Sequence, residues 1–83
     1  MVMYRYHLRG DFTLFAPNDT EFVKRVFWRS RYAKERTWYE FMAGWANRLH
    51  IGKKMSKMPN TKKPNDFVAC LIESGLLEKN IMN

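Results

Sequence analysis

The sequence predicts an α+β fold in which an N-terminal β-hairpin packs against three short α-helices. Three observations predict this fold class: apolar residues alternate through the first 16 positions, apolar residues then recur at helical spacing in three segments, and each of these segments follows a residue that commonly begins a helix. A chain of 83 residues supports one hydrophobic core. We therefore expect a single domain over residues 1–83.

The hairpin is predicted over residues 2–16. Every second residue from Val2 to Leu8 is apolar or aromatic, and the alternation returns from Phe12 to Ala16. This period of two is typical of strands that bury one face. Gly10 lies between the two runs and accepts the positive φ of a tight turn. The runs are therefore expected to pair as antiparallel strands.

The first helix is predicted from about Asp19 to about Ser30, with Asn18 as its N-cap. Its apolar residues fall on one side of the helix; they are Phe22, Val23, Val26 and Phe27. The second helix is predicted from the cap residue Thr37 to about Leu49, because Glu40 completes a capping box. Its apolar stripe is the strongest periodic signal in the chain; the members are Trp38, Phe41, Met42, Trp45, Ala46 and Leu49.

A basic connection follows the second helix from Gly52 to Pro64, and residues 54–58 could form a short third strand. Asn65 is predicted to cap the third helix, which stops near Gly75. The two leucines after that glycine are expected to fold back on the helix end, as in a Schellman motif.

Positive charge is concentrated in the middle of the chain. The formal net charge is +7, but residues 24–36 carry +5, residues 48–63 carry +6, and the remainder carries −4. Clustered cations attract polyanions or acidic protein surfaces, although basic residues also serve simply to solvate a surface. Twelve of the fifteen cations lie in these two clusters, which favours a binding role.

The residue types present argue against most catalytic and metal sites. One cysteine excludes a disulfide framework, and the two histidines lack the spacing of zinc ligands. The acids are scattered and the four glycines are isolated, so neither a carboxylate pair nor a phosphate-binding loop is present. We therefore expect no enzyme activity, no metal and no cofactor. No run of about 18 apolar residues and no signal peptide is found, so a cytoplasmic protein without membrane contact is expected.

One enzyme class stays open as a minor alternative, a small basic ribonuclease of the toxin type. His50 lies beside Arg48 and Lys53, and these groups are sufficient for acid–base cleavage of RNA. The single predicted hairpin is smaller than the sheet that such a fold requires.

The predicted partner-binding site combines the basic clusters with an aromatic residue. Trp28 falls opposite the apolar arc of the first helix and shares that side with cations. A large aromatic side chain among cations is typical of nucleic-acid stacking surfaces and of protein-interaction hot spots. Burial of Trp28 by the second helix or by the loop at residues 30–37 is an equal alternative. The predicted binding residues are Lys24, Arg25, Trp28, Arg29, Arg31, Tyr32, Arg36, Arg48, Lys53, Lys54, Lys57, Lys62 and Lys63.

Several short motifs together resemble small proteins encoded by phages and prophages. They are the Tyr-Arg-Tyr of the hairpin at residues 4–6, Glu-Phe-Val at residues 21–23, Glu-Phe-Met at residues 40–42, and the segment from Asp66 to Leu76. The resemblance implies an accessory protein that blocks a host complex, such as an anti-CRISPR or anti-restriction protein or a polymerase inhibitor. Many such inhibitors are acidic mimics of DNA, and the charge of +7 separates this chain from them.

The leading functional prediction is therefore a non-enzymatic binding protein that occludes a host nucleic-acid-handling complex in the host cytoplasm. Its expected partner is a host protein or ribonucleoprotein. The second prediction is direct, sequence-tolerant binding of DNA or RNA by the same residues. The sequence gives no prediction of whether the protein is a monomer or an oligomer.

Overall fold

The computed structural model describes residues 2–29, 37–55, 58–60 and 62–82. The strands are β1 (Met3–Leu8), β2 (Thr13–Ala16) and β3 (Leu77–Met82), and the helices are α1 (Asp19–Arg29), α2 (Trp38–Ile51) and α3 (Pro64–Glu73). The predicted α+β class, the N-terminal hairpin and the three helices are confirmed.

The sheet contains a third strand, β3, that the sequence reading missed. The strand order is β2-β1-β3, and both pairings are antiparallel, with Met3 opposite Met82 and Leu8 opposite Leu77. The alternative strand near residues 54–58 is wrong for positions 54, 55 and 58, which are not in a strand, and residues 56–57 lie outside the described residues. The first strand of the chain is therefore the central strand of the sheet.

The predicted turn of the hairpin is confirmed. Gly10 has φ +76°, the backbone N–H of Asp11 donates to the Leu8 carbonyl oxygen at 3.0 Å, and the N–H of Leu8 donates to the Phe12 carbonyl oxygen at 2.8 Å. This pattern is that of a three-residue hairpin loop with a glycine in the left-handed conformation.

Two of the three predicted N-caps are confirmed. The Asn18 side chain accepts from the N–H of Glu21 at 2.9 Å, and the Thr37 hydroxyl accepts from the N–H of Glu40 at 3.2 Å. The cap predicted at Asn65 is wrong, because Pro64 already lies in the first turn of α3, which begins two residues before the start that this cap implies. Proline is favoured there since its missing N–H would have no helical partner. The N-cap is Lys63, whose side chain makes no capping hydrogen bond.

The C-terminal ends of α2 and α3 share one hydrogen-bond pattern. After α3, Gly75 donates to the Ile72 carbonyl and Leu76 donates to the Leu71 carbonyl, both at 3.0 Å, and Gly75 has φ +76°. This is the predicted Schellman motif. At the end of α2 the same pair of bonds forms, but the residue with positive φ is Lys53, at 58°, and not the glycine before it.

The hydrophobic core lies between one face of the sheet and the three helices. The sheet contributes Tyr6, Ala16 and Leu77, and Tyr6 stacks on Phe22 of α1 with ring centroids 4.3 Å apart. The helices contribute the remaining large buried side chains; they include Val23, Met42, Phe67, Val68 and Leu71. The predicted apolar faces of α1 and α2 are therefore the buried faces. Within the described residues, none of the helices is long and apolar enough to cross a membrane.

Candidate functional site

Trp28 projects from α1 on the side away from the core. Phe22, Val23 and Val26 of the same helix are buried, whereas Trp28 is 68% exposed. Burial of Trp28, the alternative interpretation of the sequence, is therefore wrong. A tryptophan with this exposure leaves most of its ring available to a partner.

Arg25 and Arg29 flank Trp28 and are held by the hairpin. The guanidinium group of Arg25 donates a hydrogen bond to the carbonyl oxygen of Phe15 in the edge strand β2. The guanidinium carbon of Arg29 lies 4.3 Å from the centroid of the Phe12 ring, which is a cation–π contact. These contacts hold both charged groups against the hairpin, so less side-chain entropy is lost when a partner binds them.

Lys24 completes this side of the helix but is partly engaged within the fold. Its ammonium group lies 3.8 Å from a carboxylate oxygen of Glu21 and 5.7 Å from the centroid of the Trp38 ring. We refer to the side chains of Lys24, Arg25, Trp28 and Arg29 as the α1 surface. Arg31, Tyr32 and Arg36, which the sequence also assigned to the site, lie outside the described residues.

The second basic group lies at the end of α2 and the start of α3. We refer to Arg48, Lys53, Lys54, Lys62 and Lys63 as the α2–α3 cluster; all five residues are exposed. Lys57 lies outside the described residues. Two of the lysines occupy unfavourable local positions. Lys53 has a positive φ, and Lys63 places a cation at the N-terminal end of a helix, where the helix dipole favours negative charge.

The two basic groups approach the hairpin turn from different elements. Arg29 of α1 packs on Phe12, the residue that follows Asp11 of the turn. Lys54 lines a groove together with Arg9 and Asp11 of the same turn. The sequence predicted two separate basic surfaces; the fold brings one cation of each to the turn end of the sheet.

Sequence reasoning missed a polar network at the start of α1. One carboxylate oxygen of Asp19 accepts a hydrogen bond from the Tyr6 hydroxyl at 2.7 Å and from the Lys79 ammonium at 2.9 Å. Lys79 also lies 4.5 Å from the Tyr4 ring centroid. Burial and the hydrogen bond to Asp19 raise the pKa of Tyr6 well above its ordinary value of 10.0. The only signal in the sequence was the alternation of tyrosines in β1. This alternation indicates that the tyrosines share one face of the sheet, but it does not indicate which polar side chains contact them.

The side chains of both histidines make hydrogen bonds within the fold, and the side chain of the cysteine lies in the core. The Nδ1 atom of His50 donates to the Met55 carbonyl oxygen at 3.2 Å, which fastens the turn after α2. The Nδ1 atom of His7 lies 2.8 Å from the Thr13 hydroxyl across the hairpin. Cys70 is buried in the core. Among the described residues, no cluster of three or more His, Cys, Asp or Glu side chains is placed to hold a metal ion.

The α1 surface offers an exposed indole and two guanidinium groups that the hairpin anchors. The indole can stack on a flat group, and the guanidinium groups can bind anionic groups. No protein-family model, no curated protein and no solved structure matches this chain.

Proposed function

We propose that this protein is a non-enzymatic binding protein that docks through the α1 surface and occludes a nucleic-acid-handling complex of a host cell. The observation that carries the proposal is the 68% exposure of Trp28 on the helix that also carries Arg25 and Arg29. Tryptophan and arginine are the side chains that most often dominate the binding energy of protein interfaces. The resemblance to phage-encoded accessory proteins adds the setting, which is the host cytoplasm.

Charge supports the choice of partner. The net charge is +7, so an acidic surface of the host complex is the complementary target. The two lysines of the α2–α3 cluster at unfavourable positions, Lys53 and Lys63, are consistent with selection for charge at the expense of local stability. Electrostatic attraction of this kind mainly raises the association rate and makes it depend on salt.

The experiment is affinity capture from nuclease-treated host extract with three baits, followed by reconstitution of the captured complex. We expect the wild-type protein to retain a complex and to inhibit its binding of nucleic acid, and Trp28→Ala to lose both effects by at least about tenfold. Ile51→Ala is the matched control, because Ile51 is 72% exposed at the far end of α2 and lies outside the α1 surface. Equal capture by wild type and Trp28→Ala contradicts the proposal.

A second candidate, direct binding of DNA or RNA, is favoured by the same exposed indole, because an exposed aromatic ring on a basic helix can stack on a base. Fluorescence anisotropy with a random duplex and a random single strand at about 50 mM salt tests it. Direct binding predicts that the logarithm of the binding constant falls linearly with the logarithm of salt concentration, with a slope of about −0.9 for each phosphate contacted on a duplex. No binding at this low salt concentration contradicts this candidate and leaves the occlusion proposal standing.

A further inference from the structure

A groove lies at the turn end of the sheet, outside the α1 surface. It has a volume of about 310 Å³ and lies between the hairpin turn, the C-terminal part of α2 and the end of α3. This volume is at the lower end of the range of roughly 300–1,000 Å³ that is typical of small-molecule sites. The groove therefore has room for a small ligand of about one ring system with its substituents.

Part of the groove lining is apolar and includes an aromatic ring. Trp45, Leu49 and Leu71 contribute to the lining. The Trp45 ring is held by two neighbours, with centroids 5.1 Å from Phe67 in an edge-to-face arrangement and 5.8 Å from Phe41. An aromatic ring fixed in this way can receive a flat ligand without reorganisation of the core.

Charged side chains at the rim come from two backbone segments that are both anchored. Arg9 and Asp11 belong to the hairpin turn, where the backbone N–H of Arg9 donates to the Leu76 carbonyl oxygen at 2.9 Å. Lys54 follows α2, and its N–H donates to the Leu49 carbonyl oxygen at 3.0 Å. The next residue, Met55, is 1% exposed, so the turn that carries Lys54 is fixed to the core.

This combination of groups points to one chemical class of ligand. Two cations at one rim are complementary to a phosphate, an aromatic lining is complementary to a planar ring, and a carboxylate can accept hydrogen bonds from an amino group or a ring N–H. We propose that the groove binds a nucleoside monophosphate, with the base against Trp45, the phosphate at Arg9 and Lys54, and an amino or ring N–H of the base donating to Asp11.

Neither the nucleoside nor the phosphate alone can contact both the aromatic and the charged groups that line the groove. A purely apolar ligand leaves the charges of the rim without partners, and inorganic phosphate leaves the aromatic lining exposed to water. The ligand is a free nucleotide or one unit of a nucleic-acid strand, and both present the same chemistry. The inference goes beyond the proposed function, because the groove shares no residue with the α1 surface.

The test is a titration of the isotope-labelled full-length protein with 5′-AMP and 5′-GMP, followed by the indole N–H signals of its tryptophans. We expect the signal of Trp45 to shift and that of Trp28 to stay in place. Arg9→Gln and Lys54→Gln should each weaken binding about fivefold or more, since each removes a charge-assisted contact to phosphate. Both residues are exposed, so these variants retain the core.

Lys62→Gln is the matched control, because it makes the same change of charge at an exposed lysine outside the groove lining. Adenosine and inorganic phosphate separate the two halves of the ligand, and each should bind at least about tenfold more weakly than AMP. A short oligoadenylate that binds more tightly than AMP, with the same dependence on Lys54, identifies a strand as the source; equal or weaker binding identifies the free nucleotide.

Three results overturn the inference. The first is no shift of the Trp45 signal up to about 5 mM nucleotide, beyond the dissociation constants of ordinary weak sites. The second is equal binding of AMP and inorganic phosphate, which indicates an anion site without base recognition. The third is an equal loss of affinity in Lys62→Gln and Lys54→Gln, which indicates attraction by overall charge. None of these results depends on whether Trp28 mediates capture of a host complex.

Discussion

At the scale of single residues, the carboxylate of Asp19 links α1 to the sheet through two hydrogen bonds. Asp19 of α1 accepts from Tyr6 of the central strand and from Lys79 of the edge strand β3. Asp19 also lies in the first turn of its helix, where negative charge is favourable. One side chain therefore links two strands and a helix, and changes to its partners should be measurable in the free energy of unfolding.

Tyr6→Phe should lower the free energy of unfolding by about 1–2 kcal/mol near neutral pH, because it removes a hydrogen bond to a carboxylate while keeping the ring. Since the folded-state pKa of Tyr6 is raised above its ordinary value of 10.0, its hydroxyl contributes stability that is present below about pH 10 and lost as pH rises further. The variant should therefore show a shallower loss of stability than wild type between about pH 9 and pH 11.

Urea denaturation across this pH range measures the effect. Tyr39→Phe, a change at an exposed tyrosine, is the control and should retain the wild-type slope. An identical pH dependence for Tyr6→Phe and wild type contradicts the role given to the buried hydroxyl.

Among the elements, the C-terminal ends of α2 and α3 form the same turn. A different type of residue occupies the position with positive φ in each turn. Gly75 takes a positive φ after α3 without steric cost, whereas Lys53 takes a positive φ after α2 with a Cβ present. Left-handed backbone costs a residue other than glycine about 1 kcal/mol or more. The α2 end is therefore less stable than its hydrogen bonds alone indicate.

Lys53→Gly should raise the free energy of unfolding by up to about 1 kcal/mol, because it relieves this strain at an exposed site. At the end of α3, Gly75→Ala should lower it by about 1–2 kcal/mol, because alanine places a Cβ at a positive φ without adding charge near Arg9. The Gly75 site has space for a Cβ, with the nearest atom 4.0 Å away, so the loss would report backbone conformation and not a clash.

Thermal and urea denaturation of both variants check this pair of effects. Lys53→Asn is an intermediate control, because asparagine tolerates positive φ better than lysine does. A Lys53→Gly variant that is less stable than Lys53→Asn would contradict the strain argument.

The elements also show what the sequence could and could not predict. Local signals located the hairpin turn at Gly10, the caps at Asn18 and Thr37, and the buried faces of α1 and α2. Strand β3 was missed because Lys79 stands on its inward-facing side, which breaks the alternation. Its partners, Asp19 and Tyr4, are distant in sequence, and no local pattern reveals them.

The candidate site could also be predicted only in part from local signals. The helical period placed Trp28 opposite the core, and its exposure confirmed that orientation. The anchors of Arg25 and Arg29 on the hairpin, and the approach of Lys54 to the hairpin turn, arise from tertiary packing. Periodicity gives the direction of a side chain but not the neighbour that a different element supplies.

At the scale of the whole molecule, unbalanced charge opposes the folded state. A net charge of +7 on 83 residues, with the α2–α3 cluster entirely exposed, produces self-repulsion in the compact state. Salt screens this repulsion, and a change of 1 kcal/mol moves the Tm of a domain of this size by about 4–8 °C.

We expect the Tm to rise by about 2–5 °C between about 20 mM and 300 mM NaCl. Lys62→Glu, which removes two units of positive charge at an exposed position, should reduce that rise. Differential scanning calorimetry measures both. A Tm that falls with added salt would mean that ion pairs such as Asp19–Lys79 outweigh the repulsion.

The central position of β1 has a consequence for the order of events during synthesis. β1 pairs with β2 immediately after it in the chain, but its other edge pairs with β3, which follows all three helices. At a translation rate of about 5–20 residues per second, that edge waits several seconds for its partner to leave the ribosome. Until then, a nascent chain presents an open strand edge, the feature that chaperones and wrongly paired strands recognise. The last strand to be made thus completes the first one.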